Sequence, residues 1–164
     1  MMISDSIAAA ITDHAKAEAP RECCGLLVEL ADGLDYWPCR NRSPLLGQFE
    51  LHPADWADAE DVGTIKAVVH SHVVTSEEPS QADVQGCESS RLPWLIYSLA
   101  TQRFKTIRPD GIKTPLVGRQ FVWGVFDCAT LVRDYYRVTL SITLPDCQRY
   151  DYNFWKHGLS LRDK

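Results

Sequence analysis

The sequence predicts an α+β fold, a mixed α/β sandwich, over roughly its first hundred residues. Three observations predict it: a helical repeat of apolar residues near the start, apolar runs of strand length between turn signals, and a proline- and glycine-containing break after residue 107. The chain has 164 residues, of which 45% are hydrophobic and 24% are charged. This balance is typical of a globular domain that buries its core without the help of disulfides.

The first helix is predicted over residues 3–17, because their apolar side chains recur with a period close to 3.6. Ser4 or Asp5 can cap its start, and Pro20 ends it. The other elements are predicted from apolar runs, turn signals and capping residues. In chain order they are strands at 24–30 and 34–39, a short strand at 48–51, a helix at 53–62, a strand at 64–70, a helix at 80–90, and strands at 93–99 and 104–107.

Charge and composition argue against several classes of function. The chain carries 17 Lys and Arg against 22 Asp and Glu, so its net charge of -5 gives no bulk attraction for a nucleic-acid backbone. No apolar run approaches the length of a membrane span, and the acidic first residues do not resemble a signal peptide, so we expect a cytoplasmic product. Without a secretion signal, the six cysteines are expected to be free thiols rather than disulfides, and the lack of a CxxC pair argues against a cysteine zinc site.

A His-x-His pair at the end of the strand at 64–70 is the first pattern that indicates chemistry. Residues two apart in an extended strand point to the same face, so His70 and His72 can reach one ion. Ser80 and Asp83 follow, which completes the pattern His-x-His-x7-Ser-x2-Asp. Two imidazoles and one carboxylate suit Zn²⁺, and a catalytic zinc keeps its fourth position for a water whose pKa it lowers to about 7.

The residues around this pattern each have two interpretations. Glu22, at the head of the first strand, is the candidate carboxylate for taking a proton from that water, and Ser80 can donate to an oxyanion. Ser80 and Asp83 also suit the N-cap and N3 positions of a helix, and one helix start can serve both purposes. The two histidines can instead be ordinary polar residues at the end of a strand. A fourth ligand from His52 or Cys87 would close the site and make it structural.

These residues resemble a known family. The segments PRECCGLL at 20–27 and VVHSH at 68–72, with the serine and aspartate that follow, are similar to the JAMM or MPN-type metallopeptidases over residues 1–108. The resemblance implies a cytidine-deaminase-like fold and hydrolysis of amide or isopeptide bonds with one zinc. It implies zinc on His70, His72 and Asp83, Glu22 as general acid/base, and Ser80 as the group that stabilises the oxyanion. Val73 departs from the family, in which proline commonly follows the second histidine.

Cys128 is the second candidate for chemistry, because it opens a helix predicted over 127–139. A thiol in the first turn of a helix faces the positive end of the dipole, which favours the thiolate; the alternative is a buried, apolar cysteine. Residues 121–136 resemble the start of an NlpC-type cysteine peptidase, a family that cuts peptidoglycan stem peptides, and Cys128 aligns with its nucleophile. Only His157 follows it, and it does not resemble the family's catalytic histidine, so we expect little cysteine peptidase activity.

The two resemblances divide the chain into an MPN-type domain at 1–108, a linker at 109–118 and an incomplete NlpC-type segment at 119–164. This tandem order resembles the tail tip assembly proteins of lambda-like phages. It implies other tail tip proteins as partners and a place in the host cytoplasm during assembly or in the virion tail.

The leading function is a zinc-dependent peptidase or isopeptidase, with a tail protein precursor or a cell-wall peptide as substrate. Two alternatives stay open. One is an assembly or docking protein without turnover, and the other is a peptidoglycan endopeptidase that acts through Cys128 when its domain is complete.

Overall fold

The fold is described from a computed structural model, in which residues 2–109, 116–118 and 128–145 are described. The chain divides into two compact units, Met1–Ile112 and Lys113–Lys164. Most of the predicted linker at 109–118 and the residue His157 lie outside the described residues, so the domain boundaries stay a prediction. In the part of the chain that is described, no helix is long and apolar enough to cross a membrane.

The first unit alternates helices and strands, as the sequence predicts for an α+β fold. Its elements are α1 (Asp5–Glu18), β1 (Cys24–Leu30), β2 (Gly33–Cys39), α2 (Pro53–Val62), β3 (Thr64–His72), α3 (Gln81–Ser90), β4 (Trp94–Ser98) and β5 (Arg103–Ile107). The five strands form one sheet in the order β2-β1-β3-β4-β5. Only β3 and β4 run parallel, and α3 makes the crossover between them. The predicted fold class is therefore confirmed.

The sheet lies between two apolar cores, because side chains alternate in direction along each strand. On one face, Leu27 and Val69 pack with the apolar stripe of α1, which includes Ile11. On the other face, residues of β1 and β3 pack with Ala59 of α2 and Cys87 of α3. The result is a three-layer sandwich in which α1 covers one face and both α2 and α3 cover the other. His70 lies on the face that α3 covers.

Two local predictions differ from the structure. The strand predicted at 64–70 continues to His72, so both histidines belong to β3. The short strand predicted at 48–51 does not form, and only an isolated bridge joins Asn41 to Leu51. The reason lies in the side chain of Asn41, whose Oδ1 accepts hydrogen bonds from the backbone N–H groups of Ser43 and Glu50. A side chain thus satisfies backbone groups that a strand partner would otherwise bind.

The second unit is described over 116–118 and 128–145, and its helix is α4 (Cys128–Leu140). This agrees with the predicted helix at 127–139 to within one residue at its C-terminal end. Cys128 is the first residue of α4 and is exposed. The helix also carries exposed apolar side chains, among them Leu131, Val132 and Tyr135.

The five cysteines that the structure describes are free thiols, as the sequence predicts. Four of them are buried in the two cores, whereas Cys128 is exposed. Burial disfavours the thiolate: it raises the pKa of Cys23 to about 11 and that of Cys39 to about 12. Cys23 and Cys39 are therefore protonated at neutral pH and shielded from solvent.

We expect an alkylating reagent to modify the exposed Cys128 rapidly in the native protein. The four buried thiols should react only slowly until the chain is denatured; they are Cys23, Cys24, Cys39 and Cys87. Peptide mapping by mass spectrometry distinguishes the residues, and the denatured protein is the control in which all of them react. Rapid native labelling of any of the four buried thiols would contradict the packing described here.

Candidate metal centre

The candidate metal centre lies where β3 ends and α3 begins. His70 and His72 occupy alternate positions near the end of β3, so their side chains lie on the same face of the sheet. Asp83 lies in the first turn of α3. Because α3 starts the crossover from β3 to β4, its N-terminus faces the end of β3, and this brings Asp83 to the two histidines. All three residues are buried.

The three side chains converge on one small space. His70 Nε2 and His72 Nε2 are 3.2 Å apart, His70 Nε2 lies 3.1 Å from Asp83 Oδ1, and His72 Nε2 lies 3.3 Å from Asp83 Oδ2. One ligand atom from each residue lies within 4.8 Å of the others, the one group of this kind among the described residues. Donors bound tetrahedrally at the usual zinc–nitrogen distance are separated by about 3.3 Å. The donor set and its spacing therefore fit a zinc ion.

Hydrogen bonds outside the cluster orient two of its members. His72 Nδ1 lies 2.6 Å from the carbonyl oxygen of Ser76. A carbonyl can only accept, so Nδ1 carries a proton, and Nε2, which donates to Asp83 in the metal-free protein, is the nitrogen whose lone pair can bind an ion in place of that proton. Asp83 Oδ2 accepts the backbone N–H of Ser80 at 2.6 Å, and Ser80 Oγ accepts the N–H of Asp83 at 3.2 Å. This reciprocal capping box fixes the carboxylate at the helix start.

His70 is held by packing. Phe49 stacks on its ring with a centroid distance of 4.6 Å, and Trp94 meets it edge-on at 5.5 Å. Among the described residues, none forms a hydrogen bond with the buried Nδ1 atom of His70. Gly86 makes room for Trp94, because a Cβ atom at position 86 would lie 2.2 Å from the indole ring. Aromatic contacts therefore position this imidazole in place of a hydrogen bond.

Glu22 reaches the site through the register of β1 against β3. Cys24 pairs with His70, and beyond that pair the backbone N–H of Ser71 donates to the carbonyl of Cys23 at 3.1 Å. Continuation of this antiparallel register places Glu22 opposite His72. Asn41 holds the position, because its Nδ2 donates to the Glu22 carbonyl oxygen at 2.9 Å. The Glu22 side chain is only 6% exposed.

The site shifts the pKa of each of its ionisable groups. Burial raises the pKa of Glu22 to about 7, against the attraction of His72. Burial would raise the pKa of Asp83 too, but hydrogen bonds from His70 and His72 outweigh it and hold that pKa below its usual range. Burial lowers the pKa of His70, whereas the hydrogen bond to Asp83 raises that of His72. Shifts of this kind are common in functional sites.

The other candidate residues from the sequence do not belong to the three-residue cluster. Ser80 is the N-cap of α3 and its side chain is exposed at the rim of the cluster. His52 is the N-cap of α2, where Nδ1 accepts the backbone N–H of Ala54, and Cys87 Sγ donates to the Leu92 carbonyl. Neither belongs to the metal-binding group found in the described part of the chain. Cys128 belongs to the second unit.

Sequence reasoning missed Phe49, Trp94, Ser76 and Asn41 as residues that support the site. The HSH pattern and the Ser-x2-Asp capping signal can be recognised in a sequence because their residues occur at fixed spacings. Phe49 and Asn41 lie in the irregular segment between β2 and α2, where neither spacing nor periodicity indicates which way a side chain points. The carbonyl of Ser76 is a backbone group, and no residue type marks it.

The fold and this site define a class of protein, the JAB or MPN-type domain. Residues 4–108 match a family model described as prokaryotic homologs of the JAB domain. The chain therefore belongs to this Prok-JAB family. A solution structure of a protein from Desulfitobacterium hafniense has a related fold, with a TM-score of 0.53 and 27% identity over 63% of this chain and 78% of that chain.

Two curated phage proteins are similar to the chain over a longer stretch. Tail tip assembly protein K of Escherichia phage N15 is 45% identical over 150 residues, which cover 91% of this chain and 61% of that protein. Tail tip assembly protein K of Escherichia phage lambda is 38% identical over 112 residues, which cover 68% of this chain and 52% of that protein. The chain thus spans less than two thirds of the length of these relatives.

The raised pKa of Glu22 makes the metal-free protein less stable as pH rises. The folded state holds this proton up to about pH 7, whereas the unfolded chain releases it near 4.5, so stability is lost between these values. We expect Glu22→Gln to increase the free energy of unfolding by about 1–3 kcal/mol above pH 7 and to have little effect below pH 4.5. Urea unfolding across this range in the presence of a chelator measures the difference.

Ser6→Ala, at an exposed position of α1, is the control: it removes no ionisable group and should leave the pH dependence of stability unchanged. A Glu22→Gln curve parallel to that of the original protein at every pH would show that Glu22 does not titrate near neutrality.

Proposed function

We propose that the first unit is a zinc-dependent amide hydrolase of the JAMM type, with His70, His72 and Asp83 as its metal ligands. The observation that carries the proposal is the convergence of two imidazole nitrogens and a carboxylate at separations of 3.1–3.3 Å in a buried space. Only three protein ligands meet there in the described part of the chain, which is the arrangement of catalytic rather than structural zinc sites. A bound zinc supplies a Lewis acid and lowers the pKa of water to about 7.

Glu22 is the proposed general acid/base. In the metal-free protein, burial raises its pKa to about 7, and a buried carboxyl group beside the water site can both accept and return a proton. In the proposed reaction its carboxylate takes the proton from the attacking water and passes it to the amide nitrogen that leaves. Burial keeps the group out of bulk water, and the Asn41 hydrogen bond fixes the backbone from which it projects.

Ser80 is the proposed oxyanion donor. Its Oγ already accepts the N–H of Asp83, so the lone pair used in the capping box leaves the hydroxyl proton available to a substrate oxygen. The exposed position of Ser80, next to the buried ligand Asp83, suits a group that must meet a substrate from solvent. One residue thus caps α3 and contributes to catalysis.

We further propose that the protein acts in a phage tail, with other tail tip proteins as partners and the host cytoplasm or the virion tail as its location. The 45% identity to a tail tip assembly protein supports this setting. In that setting the substrate is a peptide bond of a tail protein or of a cell-wall stem peptide. We also propose a domain at 1–108, a linker at 109–118 and an NlpC-type segment at 119–164.

A non-catalytic role in assembly is the second candidate, and the identity of both phage relatives as tail tip assembly proteins favours it. In this case the metal centre stabilises a docking module. Complementation of a phage that lacks its own copy separates the two: full assembly with the Glu22→Gln variant supports docking, and loss of infectivity supports hydrolysis.

A third role, cleavage of peptidoglycan by Cys128, rests on the exposed position of this thiol at the start of α4. Such a nucleophile needs a base within hydrogen-bond reach. We propose that this activity requires a complete second domain.

We expect the purified protein to bind one equivalent of zinc, and His72→Ala to weaken zinc affinity at least about a hundredfold, since it removes a ligand rather than an outer partner. Metal analysis and chelator competition measure this. His52→Ala is the control, because His52 caps α2 and does not belong to the cluster. Negligible metal in both the original protein and His72→Ala would remove the basis of the proposal.

We expect Glu22→Gln to retain zinc and to reduce amide cleavage by about 10²–10⁴-fold, because it removes the proton carrier alone. Ser80→Ala should reduce cleavage by about 10²-fold, and Ser80→Thr should restore it because threonine keeps both the hydroxyl and the cap. Cleavage of tail proteins and of stem peptides is measured by mass spectrometry. Cleavage that is insensitive to Glu22→Gln would argue against this mechanism.

A further inference from the structure

Ser98, the last residue of β4, is fully buried at 0% exposure, and the proposed reaction gives it no role. We propose that Ser98 is a positioning residue of the metal centre: it holds the loop whose Ser76 carbonyl orients the imidazole of His72. The proposal rests on the proposed metal site, and it assigns one determinant of metal affinity to a residue that touches neither metal nor substrate.

The orientation of the His72 imidazole depends on a loop that has no regular secondary structure. The Ser76 carbonyl, 2.6 Å from His72 Nδ1, belongs to the loop 73–79 between β3 and α3. This loop contains neither helix nor strand, and each of its residues is exposed or half-exposed. A carbonyl in such a loop holds a ligand in one orientation only if the loop is fixed by contacts outside it.

Ser98 supplies the buried contact. Its Oγ donates to the carbonyl of Thr75 at 2.7 Å and accepts the backbone N–H of Thr101 at 3.1 Å, so both capacities of the hydroxyl are used. The Thr75 and Ser76 carbonyls belong to consecutive planar peptide units that share the Cα atom of Ser76, so anchoring the first leaves only the φ and ψ of Ser76 to position the second. Ser98 also pairs with His72 across β3 and β4, and the N–H of Leu99 donates to the His72 carbonyl at 2.9 Å. Ser98 and the adjacent Leu99 therefore anchor both the loop that contains Thr75 and the backbone of His72.

Contacts at the surface fix the same loop less firmly. Thr101 Oγ1 donates to Glu77 Oε2 at 2.6 Å, Arg103 lies 3.7 Å from Glu77, and Lys105 pairs with Glu78. Ion pairs in contact with solvent contribute little because water and salt screen them. The Ser98 hydroxyl is the buried member of the set, where a lost partner leaves polar groups unsatisfied.

The influence of Ser98 is specific to one ligand. His70 is held by Phe49 and Trp94, and neither aromatic residue belongs to the loop 73–79. Loss of the Ser98 hydroxyl should therefore release His72 while His70 keeps its position. A general loosening of the sheet would affect both histidines.

The test compares zinc affinity in three full-length variants by chelator competition. Ser98→Ala should bind zinc about 10–100-fold more weakly, as loss of an outer-shell partner does, and Ser98→Thr should recover most of that loss by restoring the hydroxyl. Ser71→Ala is the matched control: Ser71 is also 0% exposed, and its Oγ accepts the N–H of Cys23 away from the ligand cluster. Its zinc affinity should stay within about twofold of the original. Equal losses in Ser98→Ala and Ser71→Ala would overturn the proposal.

A second measurement needs no metal. In the metal-free protein at alkaline pH, the ring nitrogen resonances of His72 should show the proton on Nδ1, and Ser98→Ala should shift the population towards the other tautomer. An unchanged tautomer together with unchanged zinc affinity would overturn the proposal. If the original protein binds no zinc, the metal site itself fails, and the tautomer measurement alone decides the role of Ser98.

Discussion

The carboxylate of Asp83 connects the start of α3 to the end of β3, and the site depends on this connection. Its two oxygens meet both imidazoles, and one of them also accepts the N–H of Ser80. Burial of a carboxylate is unfavourable unless hydrogen bonds or opposite charges compensate. Here histidine rings and a helix N-terminus supply the compensation, and Asp83 stays ionised in a place where a lone acid would be protonated.

Burial also acts on Glu22, which the register of β1 against β3 places opposite His72. In the part of the chain that the structure describes, no histidine donates a hydrogen bond to its side chain, and burial raises its pKa to about 7. The two acids therefore differ in charge because their surroundings differ: the pKa of Asp83 lies below its usual range, whereas that of Glu22 is raised to about 7. Residue type alone does not distinguish them.

The fold and the convergence of His70, His72 and Asp83 could be predicted from the sequence because both depend on spacing. The repeat of α1, the run of β1 and the HSH pattern of β3 each reflect a periodicity that the backbone imposes. The strand at 48–51 was wrong because the side chain of Asn41 competes for backbone groups, which periodicity does not reveal. Phe49 and the Ser76 carbonyl were not predicted, since both depend on how irregular segments fold back on the sheet. The roles of Cys128 and of the segment at 119–164 stay predictions.

The contact between Gly86 and Trp94 restricts which residues homologues can carry beside the site. The indole occupies the space that any side chain at position 86 would need, and it also forms one wall of the His70 pocket. Homologues that acquire an alanine or larger residue at 86 must therefore carry a smaller side chain at 94, and they must fill the wall beside the histidine in another way. These two positions should change together in evolution, although neither one binds an ion or meets a substrate.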